Sequence, residues 1–288
     1  MNNFLPLNKN DALRRGWDEV DFVYVIGDAY VDHPSFGPAI ISRVLESRGY
    51  KVCILPQPRS DADYNRFGTP RLGFLVNGGN IDSMVAHYTA AKKPRSDDAY
   101  TAGGKAGARP DRATIVYSRN IRRIFGDVFI AIGGLEASLR RFAHYDYWDD
   151  KIRRSIIFDS QADLISYGMG EKQTVEIAER LRNGENIKDM RDIRGTCYVC
   201  DVTETPLTGA ECPSYENVVA SKKEYAISCR IQQDEQDHQN GGNEGGIEQG
   251  FLPLGLTQLA HPKGCQGNHQ RNNTDCKKIS HGFSLPSS

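Results

Sequence analysis

Residues 168–171 read Gly-Met-Gly-Glu and stand directly before a stretch, 171–182, with helical apolar spacing. Glycines at such a junction let backbone N–H groups approach a phosphate or an amide-bearing cofactor, and the first turn of the following helix favours an anion. The same four residues would equally make a tight strand-to-helix turn in which Glu171 complements the helix dipole. Gln173 occupies the place of the third glycine in the dinucleotide fingerprint. Residues 133–138, GGLEAS, follow another apolar run in the same way. Ligands of open α/β sheets bind beyond the carboxyl ends of the strands. Gly133, Gly134, Gly168, Gly170 and Glu171 are therefore the candidate cofactor-binding residues, and a small-molecule ligand is expected at their loops.

Other groups offer chemistry less directly. His144-Tyr145-Asp146-Tyr147-Trp148-Asp149-Asp150, beside Arg140 and Arg141, could line a substrate cleft with His144 or Asp146 titrating, or form a packing patch held by ion pairs. Cys197 and Cys200 have a zinc-pair spacing, but residues three apart on an extended strand point to opposite faces, and no fourth ligand is suitably placed. They read as small buried hydrophobes. Gly103-Gly104-Lys105 lacks the preceding glycine and the Ser or Thr of a phosphate-binding P-loop. No catalytic residue and no metal ligand is assigned.

The elements that must position these groups alternate along the chain. Apolar runs at 21–27 (DFVYVIG), 51–55 (KVCIL), 71–76 (RLGFLV), 127–132 (DVFIAI) and 163–167 (DLISY) read as buried strands. Between them lie helical patterns. Ile40, Ile41, Val44 and Leu45 make one stripe, with Gly49 as its stop. Ile81, Met84, Val85 and Tyr88 make a second, and residues 111–125 a third, with Ile115, Ile121, Ile124 and Phe125 inward. A short helix over 135–141 and a longer one over 171–182 complete the set. Residues 91–110 are polar and rich in Gly and Lys, and predict a long exposed loop. This alternation implies a doubly wound parallel sheet of flavodoxin-like type. Residues 196–202 (TCYVCDV) read as one more strand, at an edge or opening a linker.

The chain has 288 residues, which suggests about two domains. Thirty-six basic residues nearly cancel 37 acidic ones, so there is no electrostatic footprint for nucleic acid or an anionic membrane. No run approaches the roughly 20 apolar residues that span a bilayer, and residues 1–17 do not read as a signal peptide. The seven cysteines are an odd number, without a secretion signal, which argues against a disulfide framework. A soluble cytoplasmic protein is expected. Beyond about residue 232, Gln, Asn, Gly and His dominate. The expected organisation is a domain over 1–186, an irregular linker over 187–237 and a disordered tail over 238–288.

Together, residues 35–52 (SFGPAIISRVLESRGYKV), 133–138 and 168–181 (GMGEKQTVEIAERL) look like the cobalamin-binding-type, flavodoxin-like domain that precedes many radical S-adenosylmethionine (radical SAM) cores. With residues 27–46 (GDAYVDHPSFGPAIISRVLE), 74–89 (FLVNGGNIDSMVAHYT), 132–156 (IGGLEASLRRFAHYDYWDDKIRRSI) and 163–171 (DLISYGMGE), the chain more fully resembles the N-terminal region of YgiQ-type radical SAM proteins, over roughly residues 1–237. The resemblance implies that full-length relatives carry a [4Fe–4S] cluster on a CxxxCxxC loop and use S-adenosylmethionine. No two cysteines here are four apart, so neither cofactor is expected in this chain, and catalysis by it alone is not expected. A frameshift or an alternative ending after residue 237 is the expected origin of the tail. In residues 32–37, Asp32 adjoins His33, so the spacing of a cobalt-ligating histidine motif is not met. Two further readings stay open: a free-standing nucleotide- or corrinoid-binding module, and an interaction or regulatory fragment.

Overall fold

A computed structural model describes residues 4–201, 210–241, 257–258 and 277–281. In chain order the elements are α1 (Lys9–Arg14), β1 (Phe22–Ile26), α2 (Gly37–Ser47), β2 (Val52–Pro56), α3 (Asp61–Tyr64), β3 (Gly73–Asn77), α4 (Ser83–His87), α5 (Ala113–Phe125), β4 (Ile130–Gly133), α6 (Gly134–Leu139), β5 (His144–Asp146), β6 (Lys151–Arg153), α7 (Ile156–Ser160), β7 (Leu164–Ser166), α8 (Glu171–Arg182), β8 (Thr196–Asp201), β9 (Glu211–Cys212), α9 (Tyr215–Ala220), α10 (Lys222–Gly241), β10 (Thr257–Gln258) and β11 (Lys277–His281).

Five strands form a parallel sheet in the order β2-β1-β3-β4-β7. Taken in sequence this is the 2-1-3-4-5 order of flavodoxin-like folds. These are the five apolar runs read from the sequence. They are apolar throughout because the sheet is covered on both faces. Val23, Val25, Cys53, Leu55, Phe74, Val76, Ile130 and Ile132 share one core with Tyr117 and Ile121 of α5. Phe22, Tyr24, Ile26, Val52, Ile54, Leu75 and Ala131 share the other with Leu45 of α2 and Ile177 and Ala178 of α8. On that second face α2 packs against α8. Full burial of each Val, Leu, Ile or Phe among them contributes about 1.5–3 kcal/mol.

β8 joins the sheet antiparallel to β7, and β11, β10 and β9 follow it outward. Residues 187–237 are thus less irregular than expected: β8, β9, α9 and most of α10 lie within them. Cys197 and Cys200 sit on β8 and both are buried. The expectation of a disordered tail falls mostly on residues outside the described ones. Its described parts are the end of α10 and the strands β10 and β11. Among the described residues no helix is long and apolar enough to cross a membrane.

Two expectations are corrected. Val85 does not face inward; it is 49% exposed, because α4 is a short helix of five residues that turns only Ser83, Met84 and Ala86 into the protein. The 91–110 segment is not a bare exposed loop either. Asp98, Thr101, Ala108 and Arg109 are buried. Its backbone holds the exit of β1 through Ala29 N to Tyr100 O at 2.8 Å, and Gln57 Nε2 donates to Thr101 Oγ1 at 2.9 Å.

Candidate functional site

Three strand ends meet at the carboxyl edge of the parallel sheet. β3 ends at Asn77, β4 at Gly133 and β7 at Ser166. Gly134 turns the chain from β4 directly into α6 with φ +77°, and a Cβ there would stand 2.5 Å from Asn77 Nδ2, so both backbone and contact require glycine. Gly168 makes the corresponding turn after β7 with φ +70°, and its N–H donates to Ser138 Oγ at 3.3 Å. Gly170 is the N-cap of α8, with no side-chain cap, and Glu171 is the first helical residue.

Gly133, Gly134, Gly168, Gly170 and Glu171, which lie in two loops some 35 residues apart in sequence, all line one cavity of about 160 Å³. α2 contributes Gly37, Ile40 and Ile41 from its own N-terminal turns, where Phe36 gives no side-chain cap. This explains why Ile40 and Ile41, although on the apolar stripe, are only half-buried. The sheet contributes Tyr24, Leu75 and Ala131.

Four polar lining residues were not singled out from the sequence: Tyr24, Asn77, Ser166 and Thr174. A signal existed for two of them. Asn77 and Ser166 are the polar residues that close apolar runs at the ligand-facing end of a strand. Asn77 Oδ1 accepts from Gly79 N at 2.7 Å. Burial pushes the Tyr24 hydroxyl up to about 12, and its hydrogen bond with the Asn77 side chain offsets this only in part. Ser166 Oγ is buried and has no hydrogen-bond partner.

The remaining candidates lie elsewhere. Asp28 sits beside Arg109 and not at the cavity. Asp32 pairs with Arg43, whose hydrogen bonds hold its carboxyl below the usual range, and His33 is exposed with Nδ1 accepting from Ser35 N at 3.1 Å. The 144–150 segment forms the antiparallel hairpin β5–β6. Asp146, buried, meets Arg112 at 2.8 Å and Arg153 at 2.6 Å, the arrangement of an ion-paired packing patch. Burial pushes the His144 imidazole down.

Cysteines do not converge. Among the described residues no group of three His, Cys, Asp or Glu is placed to hold a metal ion. Burial pushes the Cys53 thiol up to about 12 and that of Cys197 further, the reverse of what a cluster thiolate needs. The described cysteines therefore do not fit a three-thiolate [4Fe–4S] site, and no step through such a group is derived for this chain.

Comparison with known proteins places this geometry in a family. The chain is 56% identical over 243 residues to a UPF0313 protein of Clostridium perfringens (strain SM101 / Type A), covering 83% of this chain and 37% of that protein. It is 54% identical over 241 residues to a UPF0313 protein of Clostridium botulinum (strain ATCC 19397 / Type A), with coverage of 83% and 37%. The chain thus spans just over a third of the length of these relatives. Among solved structures it is similar to the radical S-adenosylmethionine methyltransferase TsrM from Kitasatospora setae, determined with tryptophan substrate and the SAM analog aza-SAM bound. That match has a TM-score of 0.41 and 19% identity, and covers 62% of this chain and 28% of that one. Residues 4–244 match the family described as Radical SAM N-terminal, and with the UPF0313 relatives this shows that the chain belongs to the radical SAM N-terminal family.

Proposed function

We propose that this chain is a ligand-holding N-terminal domain of a radical SAM protein, and that cluster binding and reductive cleavage of S-adenosylmethionine belong to residues outside it. The observation that carries the reading is the convergence of Gly133, Gly134, Gly168, Gly170 and Glu171 on one cavity at the carboxyl edge of the sheet. A domain of this kind binds and orients a small molecule and leaves the radical step to its neighbour. Nucleic acid and membrane are not among its partners on this reading, since its net charge is −1.

The test is direct. The purified chain is reconstituted anaerobically with iron and sulfide, reduced, and supplied with S-adenosylmethionine. The expected result is no 5′-deoxyadenosine and no stoichiometric cluster, because a cluster needs several correctly placed thiolates. Turnover by the chain alone would overturn the reading. A second reading, an interaction module, is favoured by Leu135 and Leu139 of α6 and Met169 of the turn before α8, which are 46%, 63% and 71% exposed.

A further inference from the structure

The cavity is a slot between two apolar walls. The sheet supplies Tyr24, Leu75 and Ala131 on one side, and α2 and α8 supply Ile40, Ile41 and Ile177 on the other. Its volume, about 160 Å³, is close to that of an apolar cavity of about 150 Å³ that holds benzene. A ring system fills such a space, whereas an extended chain of similar mass would lose more rotational freedom on entering.

Charge narrows the class further. Among the described lining residues there is no Lys, Arg or His, and Glu171 is the one carboxylate. Phosphate and carboxylate sites are built on charge-assisted donors, commonly Arg or Lys. Here an anion would meet the uncapped first turns of α2 and α8, but it would meet the Glu171 carboxylate as well. The other polar groups of the lining are neutral. Asn77 and Tyr24 hydrogen-bond each other. Ser166 Oγ is buried without a partner, a state that costs free energy until a donor or acceptor arrives. It stands 3.3 Å from the position of a Cβ on Gly170, at the neck of the slot.

On the reading proposed above, we infer that the cavity takes an uncharged aromatic or heteroaromatic ring, of one or two cycles, with a hydrogen-bonding edge toward Ser166. The glycines at 133, 134, 168 and 170 keep the neck open for the ring and do not cradle a phosphate.

The experiment titrates the full chain with two uncharged rings, indole and adenine, and with two anions that lack a ring, inorganic phosphate and ribose 5-phosphate. Binding is read by calorimetry and by the melting temperature. One or both rings are expected to bind one per chain and raise the melting temperature, with the anions inert at the same concentration. Ala131→Leu fills the slot from the sheet, and Gly170→Ala narrows its neck at a φ of −80° that any residue adopts. Each is expected to weaken ring binding by at least about tenfold, the scale of one methylene in a fitted pocket. Two variants guard against overpacking at Ala131, and each is first shown to melt cooperatively. Anion binding with both rings inert overturns the inference and leaves a ligand site at the loops standing. Ring binding undiminished in both variants places the ring elsewhere and overturns it too. If none of the four probes binds, the inference and the ligand-holding reading fall together.

Discussion

Arg109 Nη2 lies 3.0 Å from Asp28 Oδ1, with both side chains buried. The same guanidinium donates to Asp98 at 2.9 and 3.0 Å and to Gly78 O at 3.2 Å. Asp28 follows β1, Gly78 follows β3, and Asp98 belongs to the 91–110 segment. One buried cation therefore ties three chain segments together at the carboxyl edge of the sheet. Removing one partner of a buried ion pair is costly because the other is left unpaired. Arg109→Met is expected to destabilise the protein by about 3–5 kcal/mol in urea unfolding. Arg109→Lys should fall between, since an ammonium cannot reproduce the planar fork. A loss under about 1 kcal/mol for the Met variant, the size of an exposed pair, would show that the triad is solvated.

Asp28 gives the stability a defined pH dependence. Burial pushes its carboxyl from 3.8 up to about 6, against the pull of Arg109. Between these values the folded protein holds the proton more tightly than the unfolded chain. Asp28 therefore lowers stability as pH rises through that window, by at most about 1.4 kcal/mol per pH unit. Asp98 acts in the opposite sense at lower pH: burial opposes its ionisation, but the hydrogen bonds from Arg109 win and its carboxyl is lowered. The stability difference between the wild type and Asp28→Asn isolates the first effect. It should slope between about pH 4 and 6 and be flat above. A flat difference throughout would mean that burial does not set the titration of Asp28.

Gly134 and Gly168 both have positive φ, yet they differ in surroundings. Alanine in the left-handed region costs about 1–2 kcal/mol at either site. At Gly168 nothing lies within 4 Å of the added methyl, whereas at Gly134 it meets the Asn77 side chain. Gly134→Ala should therefore destabilise clearly more than Gly168→Ala in paired thermal melts. Equal losses would show that Asn77 yields without strain.

Thiol chemistry checks the cysteine environments. Cys229 is exposed, whereas burial raises Cys53 and Cys197. Among the described cysteines, native alkylation at pH 8 should modify Cys229 first and leave Cys53 and Cys197 intact. Mass spectrometry of the modified peptides reads the order. Early modification of Cys197 would mean that β8 opens readily.

The parallel sheet was legible because its strands are buried on both faces, and five apolar runs, four of them ending near glycine, leave few other folds. The glycine loops were legible for a related reason: strand ends in such a sheet need sharp turns, and Gly134 and Gly168 supply them. Direction in β8 was not legible, since TCYVCD would pair equally well either way round. Nor was the anchoring of the 91–110 segment. Its composition is that of an exposed loop, and nothing local marks Arg109 as the partner of a carboxylate 81 positions earlier. Tyr24 and Leu75 were read as core, correctly, but only the positions of α2 and α8 reveal that the core is hollow beside them.

The strand order also governs how the chain assembles as it is made. β1 is synthesised first among the strands yet ends in the interior, with Phe22 beside Val52 on one side and Gly73 on the other. Its two edges therefore wait for roughly 30 and 50 further residues, which at about 5–20 residues per second is a delay of seconds. During that interval FVYVI is an uncharged β-forming segment with both hydrogen-bonding edges open, the kind of stretch that pairs with the wrong neighbour. The nascent domain is thus most vulnerable to aggregation before β3 emerges, and chaperone demand should concentrate in the first quarter of the chain.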